Sequence, residues 1–193
     1  ISKQWFLKME KLAQHAIKAI KSKKVAFHPK RWEKVYLNWL ANIKDWCISR
    51  QIWWGHQLPV WFCKDKQTET SEELFVVADK KPKKCPFCKK CEMEQSQDVL
   101  DTWFSSALWP FATLGWPNKK SKDYVNFYPT QFLSTARDIL NLWVSRMIFS
   151  GMEFTGKAPF KDVYIHATVL TKDGRRMSKS LGTGIDPIEL IEK

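Results

Sequence analysis

Apolar residues recur every three or four positions in the first quarter of the chain, which is the spacing of one helix face. This pattern predicts two amphipathic helices, the first from about residue 4 to 21 and the second from the His28-Pro29 turn to about residue 48. A tryptophan stripe on the second helix is predicted to pack into the core. The residues that carry the two patterns are Trp5, Met9, Leu12, Ala16 and Ile20, then Trp32, Tyr36, Trp39, Ile43 and Trp46.

Shorter apolar runs in the rest of the chain predict strands. Between the last two strands, Ile139, Trp143 and Met147 share a helix face, and Gly151 marks the predicted end of that helix. A strand, a helix and a further strand in this order predict a parallel α/β unit. The predicted strands lie at the end of the loop 49–62 and at residues 75–78, 131–136 and 162–170.

Composition and charge narrow the class of protein. A chain of 193 residues is long enough for one ordinary domain with a small insert. With 32 Lys and Arg against 20 Asp and Glu, the formal net charge is +12, which favours polyanionic partners such as nucleic acid or phosphates. No apolar run approaches the roughly 18 residues of a membrane-spanning helix, and no secretory signal is recognisable at the start. The sequence therefore predicts a cytoplasmic protein without a membrane partner.

Four of the five cysteines fall in one region. Cys85, Cys88 and Cys91 are each separated by two residues, and Cys63 precedes them. In a basic chain without a secretory signal this pattern favours metal over disulfides, and four thiolates suit a tetrahedral structural zinc ion. We therefore predict a small insert at residues 63–97, between two longer segments at 1–62 and 98–193 that belong to one domain. The remaining cysteine, Cys47, lies in an apolar helical pattern and is predicted to belong to the core.

Residues 174–182 form a glycine-bounded basic loop directly after a predicted strand. Cations at Arg175, Arg176 and Lys179 and hydroxyls at Ser178 and Ser180 could stabilise charge that develops on a polyphosphate. Glycines at its ends would let such a loop close and reopen. A basic turn that is merely solvated has the same composition.

The order of residues within this loop is more specific than its composition. The string Arg176-Met177-Ser178-Lys179-Ser180 resembles the KMSKS signature of class I aminoacyl-tRNA synthetases. Two further segments, residues 98–110 and 154–166, look like the valine-specific branch of that class rather than the isoleucine or leucine branches. Residues 181–187 look like the continuation found in the valine branch, and residues 4–6 and 45–56 also resemble that family, so the match covers essentially the whole chain in order.

The resemblance implies both a fold and an activity. The fold would be α/β, the C-terminal half of a Rossmann-type catalytic domain with a small zinc-ribbon-like insert. The activity would be ATP-dependent activation of valine, with Mg²⁺, followed by transfer to tRNA(Val), by an intact enzyme that is a monomer. An isoleucine- or leucine-specific synthetase is an alternative. So is a non-catalytic basic module that binds RNA phosphates through Lys80, Lys81, Lys83, Lys84, Lys89 and Lys90.

The resemblance also implies roles for residues of the loop. Lys179 matches the second lysine of the signature, which implies contact with ATP phosphates in the transition state. Ser178 and Ser180 would be its hydroxyl partners, and Arg176 stands where the family usually has lysine. Arginine keeps the charge but changes its geometry. Met177 is assigned to the same ATP site.

Residues outside the loop are assigned to ATP and valine by the same match. Asp138 and His166 are implied to lie near ATP, although Ala136 replaces the glycine usual two residues before that acid. Trp103, Ile139 and Trp143 match the residues that line the valine pocket. An apolar lining suits this substrate because the valine side chain offers nothing to hydrogen-bond.

The family's paired-knuckle zinc site is only partly matched. Lys66 stands where the second cysteine of the first knuckle is expected, so either Cys91 completes the site or the thiols stay reduced without metal. The HIGH motif and recognisable editing and anticodon-binding regions do not occur in the sequence. We therefore expect a segment that begins after the editing insertion, ends just past the loop and does not aminoacylate alone.

Overall fold

The computed structural model describes residues 2–64 and 74–192, so Lys66 lies outside the described residues. The α-helices are α1 (Glu10–Lys21), α2 (Arg31–Ala41), α3 (Thr102–Ala112), α4 (Lys122–Phe127), α5 (Ser145–Thr155) and α6 (Pro187–Ile191). The strands are β1 (Phe6–Leu7), β2 (Ala26–His28), β3 (Trp46–Cys47), β4 (Ser49–Arg50), β5 (Val60–Cys63), β6 (Phe75–Val77), β7 (Met93–Gln95), β8 (Val99–Leu100), β9 (Thr130–Ala136) and β10 (Phe160–His166).

A parallel sheet of order β2-β10-β9 forms the centre of the molecule, which confirms the predicted parallel unit. Its register places His166 opposite Ala136 and Tyr164 opposite His28. The carboxyl ends of all three strands therefore meet at one edge. This edge is where ligands bind in open α/β sheets, because the loops that follow the strands can converge there.

Helices cover one face of this sheet. The alanine-rich side of α1, with Ala13, Ala16 and Ala19 buried, packs against α5. From the sheet, Phe27 and Val163 join the same core cluster. The indoles of Trp32 and Trp39 are half-buried against that cluster and Trp46 is buried in it, so the predicted packing role of the tryptophan stripe is confirmed.

Both N-terminal helices are shorter than their patterns predict. The structure starts α1 at Glu10 and ends α2 at Ala41. The surplus apolar residues form a two-residue antiparallel ladder in which Phe6 faces Cys47 and Leu7 faces Trp46. The predicted helical assignments of residues 4–9 and 42–48 are therefore wrong. Pairing between positions about forty residues apart overrides the local period, and Cys47 is half-buried in β3 rather than on a helix.

The segment between β9 and β10 is helical, as predicted, but irregular. It begins with a 3₁₀ turn at Arg137–Ile139 and a π turn at Leu140–Val144 before α5. The predicted end at Gly151 is wrong, because α5 continues to Thr155 and ends on Gly156, whose φ of 73° suits glycine. Gly151 instead lets the backbone at Lys157 pack closely against α5, since a Cβ at Gly151 would lie 3.1 Å from the carbonyl oxygen of Lys157.

Two further strand boundaries are corrected. β10 ends at His166 rather than at residue 170, because the chain leaves the sheet there to enter the basic loop. The Cys-containing insert forms a sheet of order β6-β5-β7, in which the predicted strand at 75–78 is confirmed as β6. Its first strand begins at Val60, before the predicted insert boundary. Among residues 2–64 and 74–192, no helix combines the length and the apolar character needed to cross a membrane.

Candidate functional site

A cleft of about 680 Å³ lies at the carboxyl edge of the parallel sheet. Asp138, His166 and Arg176, which sequence analysis assigned to one ligand, all line this cleft. Arg31 and Trp32 line it too, and sequence analysis gave neither a role there. They follow β2, a strand of only three residues that has no periodicity to reveal it. Had β2 been recognised as a third parallel strand, Arg31 and Trp32 would have been placed at the same edge of the sheet.

The acid of the cleft is joined to the basic loop. Arg176 Nη1 lies 2.8 Å from Asp138 Oδ2, and Arg137 Nε lies 3.5 Å from the other carboxylate oxygen. His166 Nδ1 contacts the carbonyl oxygen of Ala167 at 2.9 Å. Ala136 has φ −81°, an ordinary extended conformation, so the backbone here does not require the usual glycine.

The loop at residues 174–182, hereafter the signature loop, is organised around its hydroxyl groups. Ser178 Oγ and Ser180 Oγ are 2.8 Å apart, and Ser178 N donates to Thr183 Oγ1 at 2.9 Å. Lys179 is exposed in a 3₁₀ turn and forms no ion pair with the described residues. Its ammonium is thus available to an anionic ligand, although Met177, Ser178, Lys179 and Ser180 do not line the cleft in this conformation.

The turn before the signature loop is held by an acid. Hydrogen bonds from the Thr171 hydroxyl and then from the Arg175 guanidinium keep the pKa of Asp173 below its usual range. The backbone N–H of Thr171 donates to the carbonyl oxygen of Arg175 at 2.8 Å. These bonds bring the loop back towards the cleft, where Leu170 and Arg176 form an antiparallel bridge.

The three residues assigned to the valine pocket are not gathered in one cavity. Trp103 lines a cavity of about 490 Å³, whose lining includes neither Ile139 nor Trp143. Trp143 lies against α3 instead, with Nε1 donating to the carbonyl oxygen of Ser106 at 3.3 Å. Ser106 is one helical turn after Trp103, so the two indoles flank the same stretch of α3.

A buried polar cluster adjoins Trp103, and sequence analysis missed it. Asp101 is buried, with 6 % of the residue exposed. Its carboxylate accepts a hydrogen bond from Trp46 Nε1 at 2.8 Å and lies 3.3 Å from Arg50 Nη2. Arg146 stacks on Trp46, with Cζ 4.3 Å from the ring centroid. Desolvation lowers the pKa of Arg146, while the charge of Asp101 acts in the opposite direction. A carboxylate amid apolar residues was the available signal.

The four predicted cysteine ligands come together in the insert. Cys63, Cys85, Cys88 and Cys91 have sulfur atoms within 4.8 Å of one another, and those of Cys88 and Cys91 are 3.2 Å apart. Four thiolates around zinc lie about 3.8 Å from each other, given a Zn–S bond of about 2.3 Å. The cluster therefore fits tetrahedral zinc, and Cys91 stands in the fourth position.

The surroundings of Cys85 lower the pKa of its thiol and so favour the thiolate. Burial alone would raise its pKa, but hydrogen bonds from the backbone N–H groups of Cys88 and Phe87 and from the thiols of Cys63 and Cys88 lower it to about 6. A thiolate, rather than a thiol, is the form that binds zinc.

Comparison with known proteins gives one consistent picture. The family model described as tRNA synthetases class I (I, L, M and V) matches residues 1–193. The valine–tRNA ligase of Clostridium acetobutylicum is 55 % identical over 192 residues, which is 100 % of this chain and 21 % of the relative. That of Treponema denticola is 53 % identical over 193 residues, 100 % of this chain and 20 % of the relative. The chain thus spans about a fifth of the length of these relatives.

Solved structures agree on the fold. Mycobacterium tuberculosis methionyl-tRNA synthetase bound by methionyl-adenylate has a TM-score of 0.67 at 16 % identity, over 99 % of this chain and 31 % of that one. The leucine enzyme of Agrobacterium radiobacter, in a ternary complex with tRNA, has a TM-score of 0.50 at 21 % identity, over 78 % of this chain and 22 % of that one. Identities this low are evidence for the fold alone.

Proposed function

The chain belongs to the class I tRNA synthetases of the I, L, M and V group, and on this basis we propose that it is part of a valine–tRNA ligase. The full-length enzyme would activate valine with ATP and Mg²⁺ and then transfer it to tRNA(Val). The observation that carries this proposal is the convergence of Asp138, His166 and Arg176 at the carboxyl edge of the parallel sheet. Relatives with more than half of their aligned residues identical bear the valine–tRNA ligase name.

The proposed reaction needs positioning and charge stabilisation rather than a covalent enzyme intermediate. The carboxylate of valine attacks the α-phosphate of ATP, the bond to the β-phosphate breaks, and pyrophosphate leaves. Charge accumulates on phosphate oxygens during this step, and cations aimed at those oxygens stabilise it. We assign this task to Lys179, with the hydroxyls of Ser178 and Ser180 as hydrogen-bond donors, and we place ATP beside Asp138, His166, Arg176 and Met177.

Closure of the signature loop is part of the proposal. Lys179 faces solvent in this conformation, so it would reach the phosphates only if the loop moved towards the cleft. Gly174 and Gly182 have positive φ and open space around them, so they can absorb the backbone change. Valine would contact Trp103 on α3 and Ile139 and Trp143 on the turns after β9, where Trp143 packs against α3.

The alternative functions are less well supported. A basic RNA-binding module accounts for the lysines near Cys85 but not for an acid, a histidine and an arginine at the sheet edge. An isoleucine- or leucine-specific enzyme is disfavoured by relatives named as valine–tRNA ligases at 51–55 % identity. Monomeric state and cytoplasmic location stay predictions.

A structural zinc ion in the insert is the second part of the proposal. Cys63, Cys85, Cys88 and Cys91 would hold it with no open coordination position. The metal would replace a hydrophobic core that a sheet of three short strands cannot build alone.

Valine-dependent pyrophosphate exchange by the full-length enzyme tests the catalytic proposal. We expect Lys179→Ala to lower the exchange rate by about a hundredfold or more, because it removes a cation from the transition state. Lys161→Ala is the matched control, since Lys161 is exposed near the amino end of β10, at the opposite edge of the sheet. Affinity for tRNA should change little in either variant. Equal exchange rates for the two variants would remove Lys179 from the reaction.

A further inference from the structure

The residues assigned to the amino-acid pocket belong to two separate elements. Trp103 lies in the first turn of α3, whereas Ile139 and Trp143 lie in the 3₁₀ and π turns after β9. Valine differs from competing amino acids by a methylene or a hydroxyl group, and such differences alone give modest discrimination. The distance between the two elements must therefore be held closely.

The start of α3 is fixed by Asp101, the residue before the helix. Its buried carboxylate accepts the Nε1 hydrogen bond of Trp46, and its backbone N–H donates to the carbonyl oxygen of Ile48 at 2.7 Å. Trp103 follows only two residues later. The position of the Trp103 indole therefore depends on the segment that contains Trp46.

The π turn is fixed through the face of the same indole. Arg146 stacks on Trp46, and its Nη1 donates to the carbonyl oxygens of Asn141 at 3.1 Å and Leu142 at 2.7 Å. Both carbonyls belong to the π turn that carries Trp143. A continuous series of contacts thus runs from Asp101 through Trp46 and Arg146 to the π turn.

We propose that Trp46 and Arg146 are positioning residues that set the separation of the two walls of the amino-acid pocket. They act through Trp103 on one wall and through the π turn on the other. The inference rests on the proposed function, because it takes those walls to bind valine. π turns occur frequently at functional sites, and here a guanidinium occupies the carbonyls that the wider turn exposes.

A simple packing role makes a different prediction. Trp46 also packs on Phe104 and Phe149, with ring centroids 5.8 and 6.2 Å away. If packing were its whole contribution, Trp46→Phe would weaken every step alike or have little effect. A positioning role instead concentrates the loss on the amino-acid substrate.

The test uses Trp46→Phe and Arg146→Lys in the full-length enzyme. Trp46→Phe keeps an aromatic face but removes the donor to Asp101, and Arg146→Lys keeps the charge but loses the planar fork. For each we expect a rise of about tenfold in KM for valine, a KM for ATP within about twofold of wild type, and a fall of about tenfold in selectivity for valine over isoleucine or threonine.

Lys122→Gln is the control, since Lys122 is exposed on α4 and outside this network. Parallel increases in KM for valine and ATP, or unchanged selectivity in variants with wild-type circular dichroism, would overturn the proposal. If one variant fails to fold, the other still tests it, because each changes a different partner of the same stack. A wild-type enzyme without valine-dependent exchange would instead refute the proposed function itself.

Discussion

The guanidinium of Arg176 is ion-paired with the carboxylate of Asp138 at 2.8 Å, so the signature loop is attached to the end of β9. Both partners are candidates for contact with ATP, and a bound nucleotide would compete with each for the other. The pair therefore holds the loop near the cleft before ATP arrives. An exposed ion pair contributes little to stability, so ATP can displace it readily.

Release of this pair should make the loop more accessible to protease. We expect Asp138→Asn to accelerate tryptic cleavage after Arg175, Arg176 and Lys179 about threefold or more, since local opening governs cleavage. Asp123→Asn on α4 is the control. Mass spectrometry of the early fragments gives the rate at each bond, and equal rates in the two variants would contradict an attachment through Asp138.

Removal of one cysteine should remove the metal. We expect about one zinc per chain in the purified protein and a loss of most of it in Cys91→Ser, because structural zinc sites are closed with four ligands. Cys47→Ser should retain the metal, since Cys47 lies outside the cluster. Elemental analysis measures this. A zinc-free wild type with all five thiols freely titratable would refute the site.

Truncation of the second pocket wall should enlarge the range of amino acids that are activated. Trp143→Ala removes the indole that lies against α3, so we expect weaker use of valine and a gain of about tenfold in relative use of isoleucine or leucine. Trp116→Ala removes an indole from a separate aromatic cluster and is the control. The measurement is kcat/KM in pyrophosphate exchange with each amino acid. Unaltered preference would show that Trp143 does not line the pocket.

Stability should decline at high pH because of Tyr128. Burial raises the pKa of this phenol to about 12, with the Thr155 hydroxyl acting against the shift. Below the unfolded pKa of 10.0 the phenol is neutral in both states and its contribution is fully present. As pH rises from there towards 12, the unfolded state ionises first and the free energy of unfolding falls. The difference in absorbance titration between wild type and Tyr128→Phe measures this pKa, and a value near 10 would contradict the prediction.

Much of the parallel core could be predicted because its signals are local. The strand that ends at Ala136, the helix that follows and the strand that ends at His166 each have their own hydrophobic pattern. The ladder of Leu7 with Trp46 could not, since it depends on a pairing between distant residues that happens to continue the helical spacing. β2 was missed because three residues are too few for a period.

The site was predictable where it has a signature and unpredictable where it depends on packing. Arg176 and Asp138, which their motifs assign to one ligand, do lie together at the cleft, whereas residues 177–180 of the same motif do not line it in this conformation. The stack of Arg146 on Trp46 could not be predicted, because nothing in the sequence around either residue indicates a contact with a residue a hundred positions away. The π turn after Ile139 could not be predicted either, because the apolar spacing through it is that of an ordinary α-helix. Ile139 is therefore absent from the lining of the cavity beside Trp103, although the motif groups the two residues.

The short ladder between β4 and β8 brings the two ends of the insert side by side. Ser49 faces Leu100, Gln57 faces Val99, and Leu58 N donates to the carbonyl oxygen of Asp98. The chain therefore leaves the rest of the fold for the insert and returns from it at the same place, where residues 49–58 pair with residues 98–100. Changes of sequence or length within the insert should therefore leave Trp103 in place, because they lie beyond the ladder that fixes the residues just before α3.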